Sequence, residues 1–175
     1  MTSNAANNKG LFTVRPAHTG DVAGIRLMLQ PYVDRGVMLG KETVQLFEDI
    51  QEFEVAVDPA GRVVGCGALH VMWQDLAEVR TVVVADDVRG QGVGHAVLEQ
   101  LLAKARALKV HRVFCLTFET KFFGAHGFEP ISETPIDDET YKELLLSTDD
   151  GVAEFLDLAR VKQNTLGNTR MLKLL

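Results

Sequence analysis

Between Ala77 and Leu108 the chain reads AEVRTVVVADDVRGQGVGHAVLEQLLAKARAL, and its pattern changes twice along that length. Val79 to Val84 is β-branched at every position except Arg80, the composition of a pleated, buried strand. Asp86 and Asp87 end it. Gly90, Gly92 and Gly94 then let successive backbone N–H groups turn toward one point without Cβ interference. Val97, Leu98, Leu101, Leu102, Ala105 and Leu108 follow at helical spacing on one face. A strand that hands a glycine turn to a helix N-terminus makes an anion site, because unpaired amides and the positive end of the helix dipole coincide there. The expected anion is a phosphate. No Lys-Ser or Lys-Thr follows the glycines, which excludes a nucleotide-triphosphate loop, and the spacing is not G-x-G-x-x-G. What remains is R-x-x-G-x-G, from Arg89 through Gln91 and Val93 to Gly94.

The rest of the chain sets limits on that site. With 175 residues, 46% of them hydrophobic, one well-buried domain is expected over 11–175. Met1 to Gly10 is polar and Asn-rich with no apolar core, unlike a signal peptide or membrane span, and reads as a disordered tail. A formal charge of -6 argues against nucleic acid or an anionic membrane as the main partner. Cys66 and Cys115 sit in apolar runs, as buried free thiols of a reducing cytoplasm would. The five histidines show no H-x-x-x-H spacing, so no metal is expected.

Taken in order, Phe12 to Arg15 starts a strand, and Val22, Ile25 and Leu29 set up an amphipathic helix that Pro31 interrupts. A looser stretch from Tyr32 to Gly40 precedes a second helical pattern on Thr43, Leu46, Phe47 and Ile50. Phe53 to Val57 and Val63 to Met72 form a hairpin around the turn sequence Asp58-Pro59-Ala60-Gly61. After the central strand and helix, Val113 to Phe118 is another strand, and Thr120 to His126 a short helix closed by Gly127. Asp137 to Leu146 and Asp150 to Leu158 are acid-capped helices, Val161 to Asn168 is a polar connection, and Arg170 to Leu175 is a last strand. The order predicts an α+β fold of mixed αβα layers, a central, mostly antiparallel, twisted sheet flanked by helices.

The loop Arg89 to Gly94 between its strand and helix, with FFGAHGF from Phe122 to Phe128 after the next strand, resembles the GNAT superfamily of acyl-CoA-dependent N-acetyltransferases. Within it, GVMLGKETVQL from Gly36, VVGCGALHV from Val63, LTFETKFFGAHGF from Leu116 and NTLGNTRMLKLL from Asn164 are most similar to short, single-domain N-acetylglutamate synthases. The resemblance implies acetyl-CoA as co-substrate, held by the backbone of Val82, Val83 and Val84, by Arg89, Gly90, Gln91, Gly92, Val93 and Gly94, and by Phe122 and Phe123. It implies glutamate acetylation at the start of arginine biosynthesis by direct transfer, a cytoplasmic protein, and a possible homodimer.

Amide formation from a thioester needs a neutral amine, a polarised carbonyl and a stabilised thiolate. Glu78 is the expected base, on a strand whose alternate residues Glu78, Arg80, Val82 and Val84 face one way. Phe123 stands where many members have a thiolate-protonating Tyr. Thr117, Thr120 and Tyr141 are the alternative hydroxyls, or the thiolate leaves unprotonated. A glutamate substrate calls for fork-like or point cations on its carboxylates. Lys41, Arg80 and the pair Thr169 and Arg170 are the candidates, with Lys162 a further cation more simply read as a surface charge. His70 and His126 read as structural or as proton shuttles. Asn168 or Gly167 replaces an Arg of the longer synthases, which leaves glutamine or another amine, including a polyamine or a protein, as alternative acceptors. A non-catalytic acyl-CoA sensor is the alternative of a different class.

Overall fold

The computed structural model describes residues 10–156, 158 and 167–175. The expected tail, apart from Gly10, lies outside the described residues, as do Lys162 and most of the Val161 to Asn168 connection. Seven strands, β1 (Thr13–Pro16), β2 (Phe53–Val57), β3 (Val63–Trp73), β4 (Leu76–Val84), β5 (Arg112–Thr117), β6 (Glu129–Pro130) and β7 (Thr169–Leu174), form one sheet in the order β1-β2-β3-β4-β5-β7-β6. Every neighbouring pair is antiparallel except β4 with β5. The helices are α1 (Val22–Asp34), α2 (Thr43–Glu48), α3 (Val93–Ala107), α4 (Thr120–Ala125), α5 (Asp138–Leu144) and α6 (Asp150–Phe155).

The sheet separates two packed faces. On one, α3 carries β4 across to β5 and buries Val93, Val97, Leu98, Leu101, Leu102 and Ala105 against Ala77, Val79, Val113 and Cys115. On the other, α1 and α2 bury Ile25, Leu29 and Leu46 against Val55, Cys66 and Ala68. Farther along that second face, α5 and α6 pack Leu144, Val152 and Phe155 against Leu76 and Phe114. Cys66 and Cys115 are buried and free.

Three local expectations give way to tertiary context. Pro31 does not end α1, which continues to Asp34. The hydrogen bond that Pro31 cannot donate belongs to the carbonyl of Leu27, a residue 75% exposed, so water can replace it. Leu108 is 53% exposed because α3 ends at Ala107 and Lys109 turns the chain away in the left-handed region (φ 62°). The two-residue strand β6 is too short for a periodicity signal; it exists through its pairing with β7.

The most consequential departure lies in β4. Ala68 pairs with Arg80 and Cys66 with Val83, so Thr81 and Val82 together oppose Gly67. This is a β-bulge. Thr81 takes φ 57°, a left-handed conformation that is rare for a β-branched residue. The extra residue reverses the alternation: Glu78 and Arg80 face the α2 and α6 side, whereas Val82 and Val84 turn toward α3. The expectation that all four face one way is therefore corrected. Thr81 and Val82 insert an odd count between the two halves of the strand.

β4 and β5 are registered only at Leu76, Ala77 and Glu78, opposite Arg112, Val113 and Phe114. Beyond Glu78 they diverge, and the β4 edge that looked toward β5 loses its strand partner. α3 in turn lies close against β3, where Gly65 and Gly67 face it. A Cβ on Gly65 would stand 2.5 Å from Val93 Cγ1. Gly65→Ala is expected to lift the first turn of α3 and to destabilise the fold by about 1–3 kcal/mol, the usual range for overpacking. Denaturant unfolding of the variant checks this, and an unchanged midpoint would show that α3 is not seated as described.

Candidate active site

The bulge and the β4–β5 divergence open a cavity of about 390 Å³ on the α2 and α6 side of the sheet. Its floor is Glu78, Arg80 and Thr81; its walls include Lys41 and Asp49 beside α2, His70 on β3, Asp149 at the start of α6, and Asn168 before β7. Asp149 caps α6 by accepting from Val152 N at 2.9 Å, so the helix start is fixed at the cavity mouth. Gly151 lets α6 settle there: a Cβ on it would lie 2.8 Å from Arg80 Nη1 and 3.0 Å from Glu78 Oε2.

Arg80 organises the charges. Its Nη1 donates to Asp149 Oδ1 at 2.9 Å and Oδ2 at 3.1 Å, and its Nη2 to Glu52 Oε2 at 3.2 Å. Glu78 Oε2 lies 3.6 Å from Nη1, an ion pair without a hydrogen bond. Burial opposes the Arg80 charge, but Glu78, Asp149 and Glu52 outweigh it and hold the guanidinium above its ordinary pKa. Asp149 is half-buried, and the Arg80 hydrogen bond and charge outweigh that partial desolvation and pull its carboxyl down to about 2. Glu78 behaves oppositely. It is 4% exposed, and burial pushes its carboxyl up to about 7, with Asp149 and Glu154 reinforcing the shift against Arg80 and His70. A carboxylate balanced near neutrality, with one oxygen not hydrogen-bonded, suits proton transfer.

Of the cations expected to clamp a substrate, Lys41 lines the cavity but is held by Asp49 Oδ2 at 2.6 Å. Arg80 lines it within its carboxylate cage. Arg170 does not line it; its Nη2 donates to Phe155 O at 3.0 Å. Thr169 pairs with Thr117 on β5, and Thr117 Oγ1 accepts from Glu119 N at 2.8 Å beside α4, outside the cavity lining. Thr120 is exposed at the first position of α4, and neither it nor Tyr141 lines the cavity. Sequence reasoning missed Asp49, Glu52, Thr81 and Asp149. They come from separate elements and carry no local motif. His70, read as structural or as a shuttle, joins them through Nδ1 at 2.7 Å from Glu52 Oε1.

The glycine loop lies at the other end of the divergence. Gly90 and Gly92 have φ 77° and 82°, and Gly92 is the N-cap of α3. Gly94 serves packing instead, since a Cβ there would meet Val84 Cγ2 at 3.3 Å and the Phe122 ring at 3.5 Å. Arg89 is exposed and bonds Tyr32 Oη at 2.6 Å. Phe122 borders the loop. Phe123 is only 5% exposed, edge-on to Phe128 within the core, so its ring is packing rather than a surface offered to a cofactor.

A bulged strand parting from its parallel neighbour, a glycine turn at the head of the crossover helix, and a buried carboxylate beside the gap make up the architecture of acetyl-CoA-dependent acetyltransferases. Residues 29–128 match the Acetyltransferase (GNAT) family model, and the chain belongs to that family. It is thus an acetyltransferase with acetyl-CoA as co-substrate. It is 52% identical over 164 residues to an amino-acid acetyltransferase of Mycobacterium tuberculosis, covering 93% of this chain and 94% of that one. A crystal structure of Rv2747 from Mycobacterium tuberculosis in complex with CoA and NLQ, 52% identical, superposes with a TM-score of 0.90 over 93% of this chain and 99% of the other. The amino-acid acetyltransferase of Neisseria meningitidis is 28% identical over 75% of this chain, which spans 30% of that protein's length. N-acetylglutamate synthase from Neisseria gonorrhoeae, at 23% identity and a TM-score of 0.75 over 95% of this chain and 35% of the other, shares the fold. No helix among the described residues is long and apolar enough to cross a membrane.

Gly92→Asp introduces a side chain at φ 82° and a negative charge at the N-terminus of α3. CoA binding, read by calorimetry on variant protein whose thermal transition remains cooperative, is expected to fall by at least about 100-fold, roughly 2.7 kcal/mol. Near-normal binding would remove the loop from the cofactor site.

Proposed function

We propose that the chain moves the acetyl group of acetyl-CoA directly, in a ternary complex, to the α-amino group of L-glutamate, forming N-acetylglutamate for arginine biosynthesis. The observation that carries this reading is Glu78, buried on the floor of a cavity of about 390 Å³ with one oxygen not hydrogen-bonded. That volume suits a small molecule. The name amino-acid acetyltransferase carried by the Mycobacterium tuberculosis relative, which matches nearly end to end, supports an amino acid as acceptor.

In this reading the amino acid arrives as an ammonium, which the acidic cavity favours. Glu78 takes the proton, directly or through one water, and the freed amine attacks the thioester carbonyl carbon. The N–C bond forms, the C–S bond breaks, and the CoA thiolate departs. Backbone N–H groups of the Val82 to Val84 stretch polarise the carbonyl oxygen. None of Thr117, Thr120 and Tyr141 is available on the cavity lining as an acid, and the Phe123 ring has no proton to give. The thiolate therefore takes its proton from solvent, which a thiol pKa of about 8.5 permits.

One observation favours a second acceptor, L-glutamine. Among the described residues, the cations Lys41 and Arg80 that line the cavity are already paired with Asp49, Asp149 and Glu52. A side-chain amide needs no free cation there, whereas a second carboxylate does. CoA release measured with glutamate, glutamine, arginine, a polyamine and a basic peptide separates the readings. Saturable turnover with glutamate is expected; preference for glutamine would move the assignment to that amino acid, and turnover with none would leave an acyl-CoA sensor.

With Glu78 as base, kcat/KM is expected to rise as pH increases through about 7 and then level, since the carboxylate is lost by protonation below that value. Glu78→Gln should abolish this limb and slow turnover by at least about 100-fold. Its CoA affinity should be unchanged. A pH limb that survives the substitution would assign the proton transfer to another group.

A further inference from the structure

On the α3 face of the molecule, away from the cavity, His95, Glu99 and His126 bring three potential ligand atoms within 4.8 Å of one another. We propose that these three side chains form a surface binding site for a divalent transition metal, with Zn²⁺ the ion that their chemistry suits best. The site lies apart from the acceptor cavity but borders the glycine loop and Phe122, on whose ring His126 packs at 4.7 Å, and it does not depend on which amino acid is acetylated.

Two helices build it. His95 and Glu99 stand four residues apart on α3 and so share one exposed face of it, one turn above the other. His126 comes from the C-cap of α4, where the chain turns through Gly127 at φ 81°. Backbone contacts on both sides hold that turn: His126 N donates to Phe123 O at 2.9 Å, and Lys173 Nζ donates to His126 O at 2.7 Å. No sequence spacing announces the trio, because His126 lies 31 residues beyond His95.

The tautomer of His126 is the second observation that points to a cation. Its Nδ1 lies 2.8 Å from Phe122 O. A carbonyl oxygen can only accept, so Nδ1 carries the proton and, in the neutral ring, Nε2 keeps its lone pair. That lone pair faces His95 Nδ1 at 2.7 Å. A ring nitrogen oriented by a backbone carbonyl behind it is the usual support of a metal-bound histidine. Without metal, the His95 Nδ1–H bonds His126 Nε2. With metal, His95 moves its proton to Nε2, and both facing nitrogens donate to the ion.

The required movement is small. Tetrahedral Zn–N bonds of about 2.0–2.1 Å set the two nitrogens about 3.3 Å apart, so the exposed His95 ring need only swing outward by roughly half an ångström. Two imidazoles and a carboxylate then leave one position for water. Borderline nitrogen donors select zinc, nickel, copper or cobalt over magnesium or calcium. A bound ion would tie the first turn of α3, next to the glycine loop, to the end of α4.

The test is calorimetric titration of the full chain with Zn²⁺, alongside the absorption spectrum of its Co²⁺ complex. One ion per chain is expected, with micromolar affinity and visible cobalt bands of a low-coordinate nitrogen and oxygen site. His95→Ala, on an exposed position, should weaken binding by at least about 10-fold, and Glu99→Gln by a smaller factor. His126→Ala should abolish it, with His111→Ala as an exposed control that leaves it unchanged. No saturable binding by the wild-type chain, or wild-type affinity in His95→Ala, would overturn the proposal. So would an equal loss in His111→Ala.

Discussion

The bulge at Thr81 is the feature on which the site depends. An uninterrupted β4 would present Glu78, Arg80, Val82 and Val84 to one side. Inserting one residue opposite Gly67 leaves the two ionisable groups facing the cavity and turns Val82 and Val84 into the packing beneath α3. The same irregularity accompanies the end of β4–β5 pairing after Glu78. A polar floor, an apolar underside and an open strand edge thus arise from one local change. Its strain, a β-branched residue at φ 57°, is of order 1–3 kcal/mol and is tolerated because both flanking halves of β4 are locked into β3.

Electrostatics then divides the labour among carboxylates that are close in space. Asp149 and Glu52 take the hydrogen bonds of Arg80, and Asp149 is held low by them. Glu78, more deeply buried and 3.6 Å from the guanidinium, receives only its charge, which does not offset desolvation. Similar groups in one cluster end on opposite sides of their ordinary pKa. The residue that keeps a proton near neutrality is the one facing the gap where β4 and β5 part.

Some of this was legible in the chain. Glycines followed by an apolar helical stripe dictate a strand-to-helix anion turn, and Gly90 and Gly92 do adopt left-handed angles. Glu78, Arg80 and Lys41 were identifiable from the sequence, and they share the cavity. Thr117, Thr120, Thr169 and Arg170 were expected at the site and do not line it: strand alternation turns Thr117 and Thr169 away, the Phe155 carbonyl holds Arg170, and Thr120 stands exposed at the start of α4. Phe123 illustrates the same limit: a motif locates a residue on a helix, but packing against Phe128 decides which way its ring points.

The sequence by itself determined the longer helices and strands, their order, the glycine loop and the place of Glu78 on β4, since each is encoded in spacing within one short stretch. Tertiary structure alone decided the facing reversal at Thr81, the carboxylate cage around Arg80 and the meeting of His95 with His126. These depend on the register between strands and the approach of helices distant in the chain. The free energies that set them arise from contacts among residues that no local pattern pairs in advance.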